Sequence, residues 1–370
     1  MVNVNNLFKF LDKNGINFFS GVPDSILKNT KWHLEKKNKK QHLIAPNEGS
    51  SIATCVGYYL ATGKLSCAYM QNSGLGNAIN PLISIAHKKV YSIPIFLMIG
   101  WRGAPGSRDE PQHLVKGSIT TKLLKLLNIK YCVLKNEKDF KNLKKIIIFA
   151  KKNNTPVACL IKKNVLVDNN KKIQDNYIKS DIKRENFIRE LLKNINSKSN
   201  LIATTGYTSR ELYQVRLKYN LKKGRDLYMV GGMGHSSMVA LGKSIYTNKQ
   251  VICLDGDGSM IMHMGSIANI GYYAKKNYKH ILLNNFSHES VGGQKTVSKN
   301  LKFENIVKGA GYKKYFYLDK RKNLNKTIRK FLASNGPSML EVVIKTEAMQ
   351  NLLRVKNLIN IKNKFMKKKC

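Results

Sequence analysis

The chain has 370 residues and a formal net charge of +43 at pH 7, because 65 basic residues face only 22 acidic ones. Only ten of the basic residues are arginine, the side chain best suited to reading phosphates and bases, and no zinc-finger spacing or RNP-type motif accompanies them. The charge therefore indicates a lysine-rich composition more than a nucleic-acid-binding surface, and we expect no nucleic-acid partner.

The cysteine spacing indicates the cellular compartment, and the hydropathy indicates whether the chain crosses a membrane. The six cysteines stand far apart and form no CxxC motif, which is typical of a protein in a reducing compartment. No run of 18 apolar residues is present, and the amphipathic N-terminus lacks the apolar core of a signal peptide. We expect a cytoplasmic protein without a membrane segment.

The first half of the chain alternates helical and strand-like segments. An amphipathic helix is predicted over 5–15, and a strand with a short strand–helix unit follows over 16–23 and 42–63. Further apolar strands that break into turns are predicted over 65–74, 92–103 and 156–163. This alternation predicts a parallel sheet with helices on both faces over residues 1–165.

The second half repeats the alternation after a polar stretch without periodicity. Residues 166–183 are predicted to be an interdomain linker, and residues 184–370 a second α/β domain. Its strand-bearing segments are 200–209, 226–242, 250–259, 279–285 and 337–345. The basic tail from residue 363 is expected to fray.

One spacing in the second half carries chemistry. Asp257 follows an apolar strand inside a Gly-Asp-Gly turn, and Asn285 follows the next apolar strand along the chain. A strand–helix–strand crossover brings the carboxyl ends of neighbouring parallel strands into one crevice. A carboxylate and an amide oxygen beside a helix N-terminus suit a hard divalent cation that holds a diphosphate.

Several motifs in the same order give the chain a resemblance to a known family. They are GVPDS (21–25), PNEGSS (46–51), YMQNSGLGNAINPL (69–82), IGWRGAPGSRDEPQH (99–113), TTGYTSREL (204–212), GGMGHSS (231–237) and NNFSHESVGGQKT (284–296). With them the chain resembles the thiamine-diphosphate-dependent 2-oxo acid decarboxylases. It is most similar to the phosphonopyruvate decarboxylase branch, with the sulfopyruvate decarboxylases as neighbours.

This resemblance implies an architecture, cofactors and an assembly. The fold would be α/β, with two thiamine-diphosphate-binding-type domains and no middle domain: a pyrimidine-binding domain over 1–165 and a diphosphate-binding domain over 184–370. Thiamine diphosphate and Mg²⁺ would be bound. In this superfamily the cofactor lies between domains of different subunits, so a homodimer or a larger homo-oligomer is expected.

The resemblance also implies ligands for the metal and the diphosphate. Mg²⁺ would be held by Asp257, the Asn285 side chain and the backbone carbonyl of Ser287. Residues expected to contact the diphosphate lie in two polar loops: Gly256, Gly258 and Ser259 in the first, and Gly206, Thr208 and Ser209 in the second.

Glu48 is the expected catalytic carboxylate, because in this enzyme type a buried carboxylate bonds N1′ of the aminopyrimidine and promotes proton removal from the thiazolium C2. Met233 would support the bent cofactor, and the Gly231 carbonyl would accept a hydrogen bond from the 4′-amino group. Ser25 and His113 fall where relatives place residues beside the reacting carbon.

The substrate contacts rest on fewer signals. A phosphonate needs cations or donors, and the candidates are Arg102, Arg108, His235, His288 and Lys295. Lys295 and the Phe286–Ser287 pair depart from the usual motif and leave the anion contacts open.

The expected reaction is decarboxylation of 3-phosphonopyruvate to phosphonoacetaldehyde and CO₂, a step in phosphonate biosynthesis. Sulfopyruvate decarboxylation is the nearest alternative. An acetolactate-synthase type of carboligase is disfavoured by the missing middle domain. A nucleic-acid-binding protein and an inactive scaffold of the same fold complete the alternatives, and the joint presence of Glu48, Asp257 and Asn285 argues against the scaffold.

Overall fold

The computed structural model describes residues 1–168 and 180–366. The chain divides into two compact units, Met1–Gln174 with Val291–Gln294 and Asp175–Ser290 with Lys295–Cys370. Each unit contains a parallel sheet of six strands, covered by helices, with apolar clusters of its own.

The first unit is built around the sheet order β3-β2-β4-β5-β7-β6, and β1 pairs with β8 beside it. Its strands are β1 Val2–Asn3, β2 Phe19–Gly21, β3 His42–Ile44, β4 Ser66–Gln71, β5 Ile95–Gly100, β6 Lys130–Leu134, β7 Val157–Ile161 and β8 Leu166–Val167. Its helices are α1 Val4–Lys13, α2 Lys31–Glu35, α3 Glu48–Thr62, α4 Leu75–Pro81, α5 Pro111–Leu126 and α6 Phe140–Asn153.

The second unit has the sheet order β10-β9-β11-β12-β14-β13. Its strands are β9 Asn200–Ala203, β10 Arg225–Tyr228, β11 Val251–Gly256, β12 Tyr278–Asn284, β13 Lys314–Leu318 and β14 Ser338–Val343. Its helices are α7 Arg184–Asn194, α8 Tyr207–Lys218, α9 Ser236–Ile245, α10 Asp257–Met262, α11 Ser266–Tyr273, α12 Phe303–Gly309, α13 Leu324–Ala333 and α14 Leu358–Met366.

The two sheets share one topology although the halves show no sequence repeat. When the strands of each six-stranded sheet are renumbered from one to six in chain order, both sheets have the strand order 2-1-3-4-6-5. The order reverses between β2 and β4 in one unit and between β9 and β11 in the other. Loops that follow strands at such a reversal form a crevice, which is where open α/β sheets bind their ligands.

The central strands form where the sequence predicts them. Strands β5, β7 and β12 are buried along their whole length because helices cover both faces of the sheet. Nearly every position of β5 and β7 is apolar, whereas β12 also buries Lys279, His280 and Asn284. Helix α3 begins where the Asn47 side chain accepts the N–H of Ser50, and it ends at Gly63 in the left-handed conformation. The alternating pattern therefore predicted the α/β fold correctly.

Three details differ from the sequence predictions. The segment between β11 and β12 folds as two short helices instead of one, because the chain leaves helical geometry at His263. The predicted linker 166–183 has ordered ends: Leu166 pairs with Val2, and Ile182 lies in the apolar core. Its middle, 169–179, lies outside the described residues, so a linker there stays a prediction.

The third difference is the basic tail. Residues 363–366 belong to α14 instead of fraying, because Phe365 is buried in an apolar cluster of the second unit. Residues 367–370 lie outside the described part of the chain. Among the described residues, no helix has both the length and the apolar character needed to cross a membrane, and the five cysteines are free thiols.

Candidate active site

Glu48 is a buried carboxylate at the start of α3. Its side chain is held by Asn77, whose Nδ2 donates to Oε2 at 2.8 Å, and the residue is only 6% exposed. Its carboxyl group packs directly on Gly74, where a Cβ would lie 2.3 Å from Oε1. Glu48 is therefore not a surface residue of the first helical turn, and the fold gives its carboxylate a defined position.

Ser25 and Arg102 are brought together in the first unit. The Arg102 guanidinium donates to the Ser25 hydroxyl at 3.3 Å and forms two bonds to the Asp109 carboxylate at 2.7 and 2.5 Å. Partial burial raises the pKa of Asp109, but the hydrogen bonds from Arg102 and from the Glu110 N–H, together with the charge of Arg102, outweigh it and keep that pKa well below its usual range. Asp109 therefore already compensates the positive charge predicted to meet the substrate anion.

The remaining candidates of the first unit lie around the loop that follows β5. Gly103 in this loop approaches the backbone of α5 so closely that a Cβ would lie 1.9 Å from the His113 carbonyl oxygen. This contact fixes the loop against the helix that carries His113, which is partly buried. Arg108 is exposed in the same loop.

Asp24 is a buried acid that the sequence analysis did not single out. It is 2% exposed, and its Oδ2 accepts the N–H groups of Ile26 and Leu27 at 3.1 and 3.2 Å. Its Oδ1 has no hydrogen-bond partner in the described part of the chain. Burial raises the pKa of Asp24 to about 6, although these backbone bonds and Arg102 act in the opposite direction.

In the second unit, Asp257 is the first residue of α10 and is 2% exposed. Two hydroxyl groups donate to its Oδ2, those of Thr296 at 2.5 Å and Ser298 at 2.8 Å. Burial raises its pKa to about 6 despite these bonds. The sequence analysis assigned no role to these two hydroxyls, because they lie about 40 residues along the chain from Asp257.

The two asparagines after β12 have different surroundings. Asn284 donates to Glu341 at 2.8 Å and accepts from Ser298 at 3.2 Å, so it is tied into the fold. Asn285 donates through Nδ2 to Glu289 at 2.9 Å, and its Oδ1 accepts the N–H of Ser287 at 3.2 Å. Only the second asparagine follows the end of the strand, in the place that the metal hypothesis requires.

The residues expected around the diphosphate lie beyond the carboxyl ends of β9 and β11, at the starts of α8 and α10 and not in loops. Gly258 has no room for a side chain, since a Cβ would meet the His288 ring at 2.7 Å and Met233 at 3.4 Å. Burial lowers the pKa of His288 to about 4, so this ring is neutral near pH 7. The neutral His288 ring and the Met233 thioether therefore place no negative charge next to Gly258, where the diphosphate is expected to bind.

The hydroxyls of the predicted loops are engaged in the fold. Ser259 accepts the N–H of Gly234 at 3.1 Å and contacts the hydroxyl of Thr204 at 2.9 Å. The hydroxyl of Ser209 lies against backbone carbonyls, among them that of Thr204 at 2.7 Å, and so closes its own turn. Their expected contacts to a diphosphate stay predictions.

Other predicted residues of the second unit are placed as follows. Gly206 adopts a positive φ of 92° at the start of α8, and Thr208 is the buried second residue of that helix. Gly231 and Met233 are partly buried, whereas Gly256 ends β11. His235 is exposed and stacks on His263, with ring centroids 4.4 Å apart, and Lys295 is exposed beside Ser287.

Comparison with known proteins finds one matching domain family in each half of the chain. A family model described as the N-terminal TPP binding domain of thiamine pyrophosphate enzymes matches residues 3–123, and the C-terminal TPP binding domain matches residues 205–342. Thiamine pyrophosphate is another name for thiamine diphosphate. Both halves are therefore domains of the thiamine-diphosphate-binding type.

Full-length relatives carry more specific names. The chain is 30% identical over 358 residues to phosphonopyruvate decarboxylase of Streptomyces viridochromogenes, covering 92% of this chain and 88% of the relative. It is 29% identical over 377 residues to phosphonopyruvate decarboxylase of Streptomyces hygroscopicus, with coverages of 96% and 91%. Sulfopyruvate decarboxylase of Methanosarcina acetivorans is 24% identical over 361 residues, with coverages of 92% and 90%.

The buried carboxyl group of Asp24 predicts a pH-dependent stability. Its folded-state pKa of about 6 lies above the usual 3.8, so ionisation is penalised in the folded protein, and stability is lost as pH rises from about 4 to about 6. Asp24→Asn should remove this cost and raise the free energy of unfolding at pH 8 by up to about 3 kcal/mol. Urea unfolding at pH 4 and pH 8 measures it, and an equal effect at both values would contradict the prediction.

Phe286 lies between two predicted metal ligands and has a φ of 53°, in the left-handed region that a bulky residue rarely adopts. Phe286→Gly should therefore unfold with a free energy about 1 kcal/mol higher than Phe286→Ala, since both variants lose the ring but only glycine relieves the backbone. Urea unfolding of the two variants compares them directly. Equal values would show that the backbone there is unstrained.

Proposed function

The chain belongs to the phosphonopyruvate decarboxylase family of thiamine-diphosphate enzymes, and from this we propose that it converts 3-phosphonopyruvate to phosphonoacetaldehyde and CO₂. It is a carboxy-lyase: the C1–C2 bond breaks, CO₂ leaves, and a proton takes its place on the product. The observation that carries the proposal is the buried Asp257 beside Asn285 at the ends of the paired strands β11 and β12.

The chemistry of this donor set fits the metal and the cofactor. Carboxylate and carboxamide oxygens are hard ligands of the kind that Mg²⁺ prefers. Gly258 allows the His288 ring and Met233 to pack against the backbone next to Asp257, because a Cβ there would lie 2.7 Å from the ring. We propose that Asp257 and Asn285 hold Mg²⁺, with the Ser287 carbonyl as a third protein ligand, and that Glu48 holds a proton at N1′ of the aminopyrimidine.

Bound thiamine diphosphate would supply the electron sink for the bonding electron pair that stays on C2 when CO₂ leaves. The protein's own contribution is binding, orientation and proton handling. Asn77 keeps the Glu48 carboxylate in one orientation. Arg102 orients the Ser25 hydroxyl, and His113 is a candidate for delivering the proton that replaces CO₂. Decarboxylation of this substrate is a step in phosphonate biosynthesis.

One observation keeps sulfopyruvate as a second candidate substrate. Asp109 compensates the charge of Arg102 through two hydrogen bonds. A compensated guanidinium discriminates weakly between the phosphonate dianion and the sulfonate monoanion by net charge. Exposed Arg108 and Lys295 would then provide the extra positive charge that a dianion requires.

An aldehyde-release assay with thiamine diphosphate and Mg²⁺ tests the function on phosphonopyruvate, sulfopyruvate and pyruvate in parallel. We expect phosphonopyruvate to have the highest kcat/KM. Glu48→Ala should lower that value at least a hundredfold because general acid–base catalysis contributes about 10²- to 10⁴-fold. Faster turnover of sulfopyruvate would assign the neighbouring activity, and no turnover of any of the three would sink the proposal.

We also propose that the enzyme is a homo-oligomer, as the resemblance implied. Helix α5 exposes apolar side chains along one side, with Val115 65%, Ile119 49% and Leu126 78% exposed. A patch of this kind is typical of an association surface. Sedimentation velocity should show at least twice the 42.0 kDa mass of one chain, whereas a monomer at micromolar concentration would contradict the proposal.

A further inference from the structure

A buried arginine lies behind the predicted metal ligand Asn285. Arg184, the first residue of α7, is 4% exposed and forms ion pairs with two carboxylates, Glu211 at 2.7 Å and Glu289 at 2.6 Å. Its guanidinium also lies against the ring of Tyr207, at 5.9 Å from the centroid. An arginine held from three sides has a fixed position, and it was not among the residues predicted to act in the site.

The charge of this arginine reaches the metal ligand through one shared oxygen. Oε2 of Glu289 accepts from Arg184 at 2.6 Å and from Nδ2 of Asn285 at 2.9 Å. An ionised carboxylate can only accept hydrogen bonds, so the group of Asn285 that faces it must be the amide nitrogen. On the other side, Oδ1 of Asn285 accepts the N–H of Ser287, which fits the same orientation.

We propose that Arg184 and Glu289 are positioning residues that keep the Asn285 carboxamide oxygen, and not its nitrogen, available to the divalent cation. The two ends of a carboxamide have nearly the same shape, but only the oxygen can ligate a hard cation. This inference rests on the proposed function, because it takes Asn285 as a ligand of the metal that holds the diphosphate.

Arg184 has a second task in this arrangement. In the described part of the chain the Glu289 carboxylate accepts hydrogen bonds from Arg184 and Asn285, so without the arginine it would be held only by the amide that it has to orient. The ion pair with Arg184 keeps Glu289 as an acceptor for the amide. Partners of this kind, placed behind the ligands of a metal, typically change metal affinity by about 10- to 100-fold.

The test measures metal affinity directly, by titrating Mn²⁺ into the full-length protein at saturating thiamine diphosphate and following free Mn²⁺ by electron paramagnetic resonance. Glu289→Gln is the main variant, because it keeps the shape but can also donate to a flipped carboxamide. We expect its Kd for Mn²⁺ to rise about tenfold, whereas kcat at saturating Mn²⁺ falls less than threefold.

Variants of the arginine follow the same logic. Arg184→Met should raise the Kd for Mn²⁺ at least as much as Glu289→Gln, and Arg184→Lys, which keeps the charge, should restore part of the affinity. Combining Arg184→Lys with Glu289→Gln should be no worse than Glu289→Gln alone, since both act through one amide. Arg184→Met could fail to fold, and in that case Glu289→Gln still decides the question.

The chain offers a matched control. Arg216 forms two bonds of 2.7 Å to the Asp226 carboxylate in the same unit, and both side chains are largely buried. Arg216→Met should lower stability without changing the Kd for Mn²⁺. An unchanged Kd in Glu289→Gln, or an equal loss of affinity in Arg216→Met, would overturn the positioning role but not the proposed function. An unmodified protein that binds no Mn²⁺ in the presence of thiamine diphosphate would overturn both.

Discussion

The need to compensate buried carboxylates organises this molecule more than any other constraint. An isolated charge inside a protein is costly, so each buried acid must be given donors, a cation or a proton. The buried Asp257 accepts from two hydroxyls and the buried Asp24 from two backbone N–H groups, while the partly buried Glu289 accepts from an arginine and an amide. Hydroxyls and backbone N–H groups are uncharged donors, so they do not neutralise the negative charge of ionised Asp257 or Asp24. Each of these carboxylates therefore attracts a cation or a proton.

The shared sheet topology decides where these acids can stand. In both units the strand order reverses beside the first strand, and the loops after the strands at that point carry Asp24 in one unit and Asp257 in the other. Loops at this edge are held by strands that are themselves locked in the core. The acids therefore stand directly beyond strands that are buried in the core of each unit, and this gives them the defined positions that a site for a charged cofactor requires.

The sequence predicted two kinds of feature well: strands that are buried on both faces, and polar functional residues that directly follow such strands. It predicted the central strands because they are apolar on both faces, and it placed Asp257 and Asn285 at strand ends. It missed the edge strands β6 and β13, whose half-exposed residues lack a continuous apolar run. It also missed Arg184, Thr296 and Ser298, because side chains that meet only after folding leave no local pattern. Arg102 and Asp109 lie in one loop, so their pairing was within reach of the sequence.

Neither sheet contains a strand from the other half of the chain, and in the described residues no apolar cluster mixes residues of the two halves. Separating the described residues 1–168 from the described residues 180–366 would therefore split no sheet and no apolar cluster. What the covalent connection adds is stoichiometry, since each round of translation delivers both halves in equal number. The chain can accordingly be regarded as two folding modules expressed as one gene product.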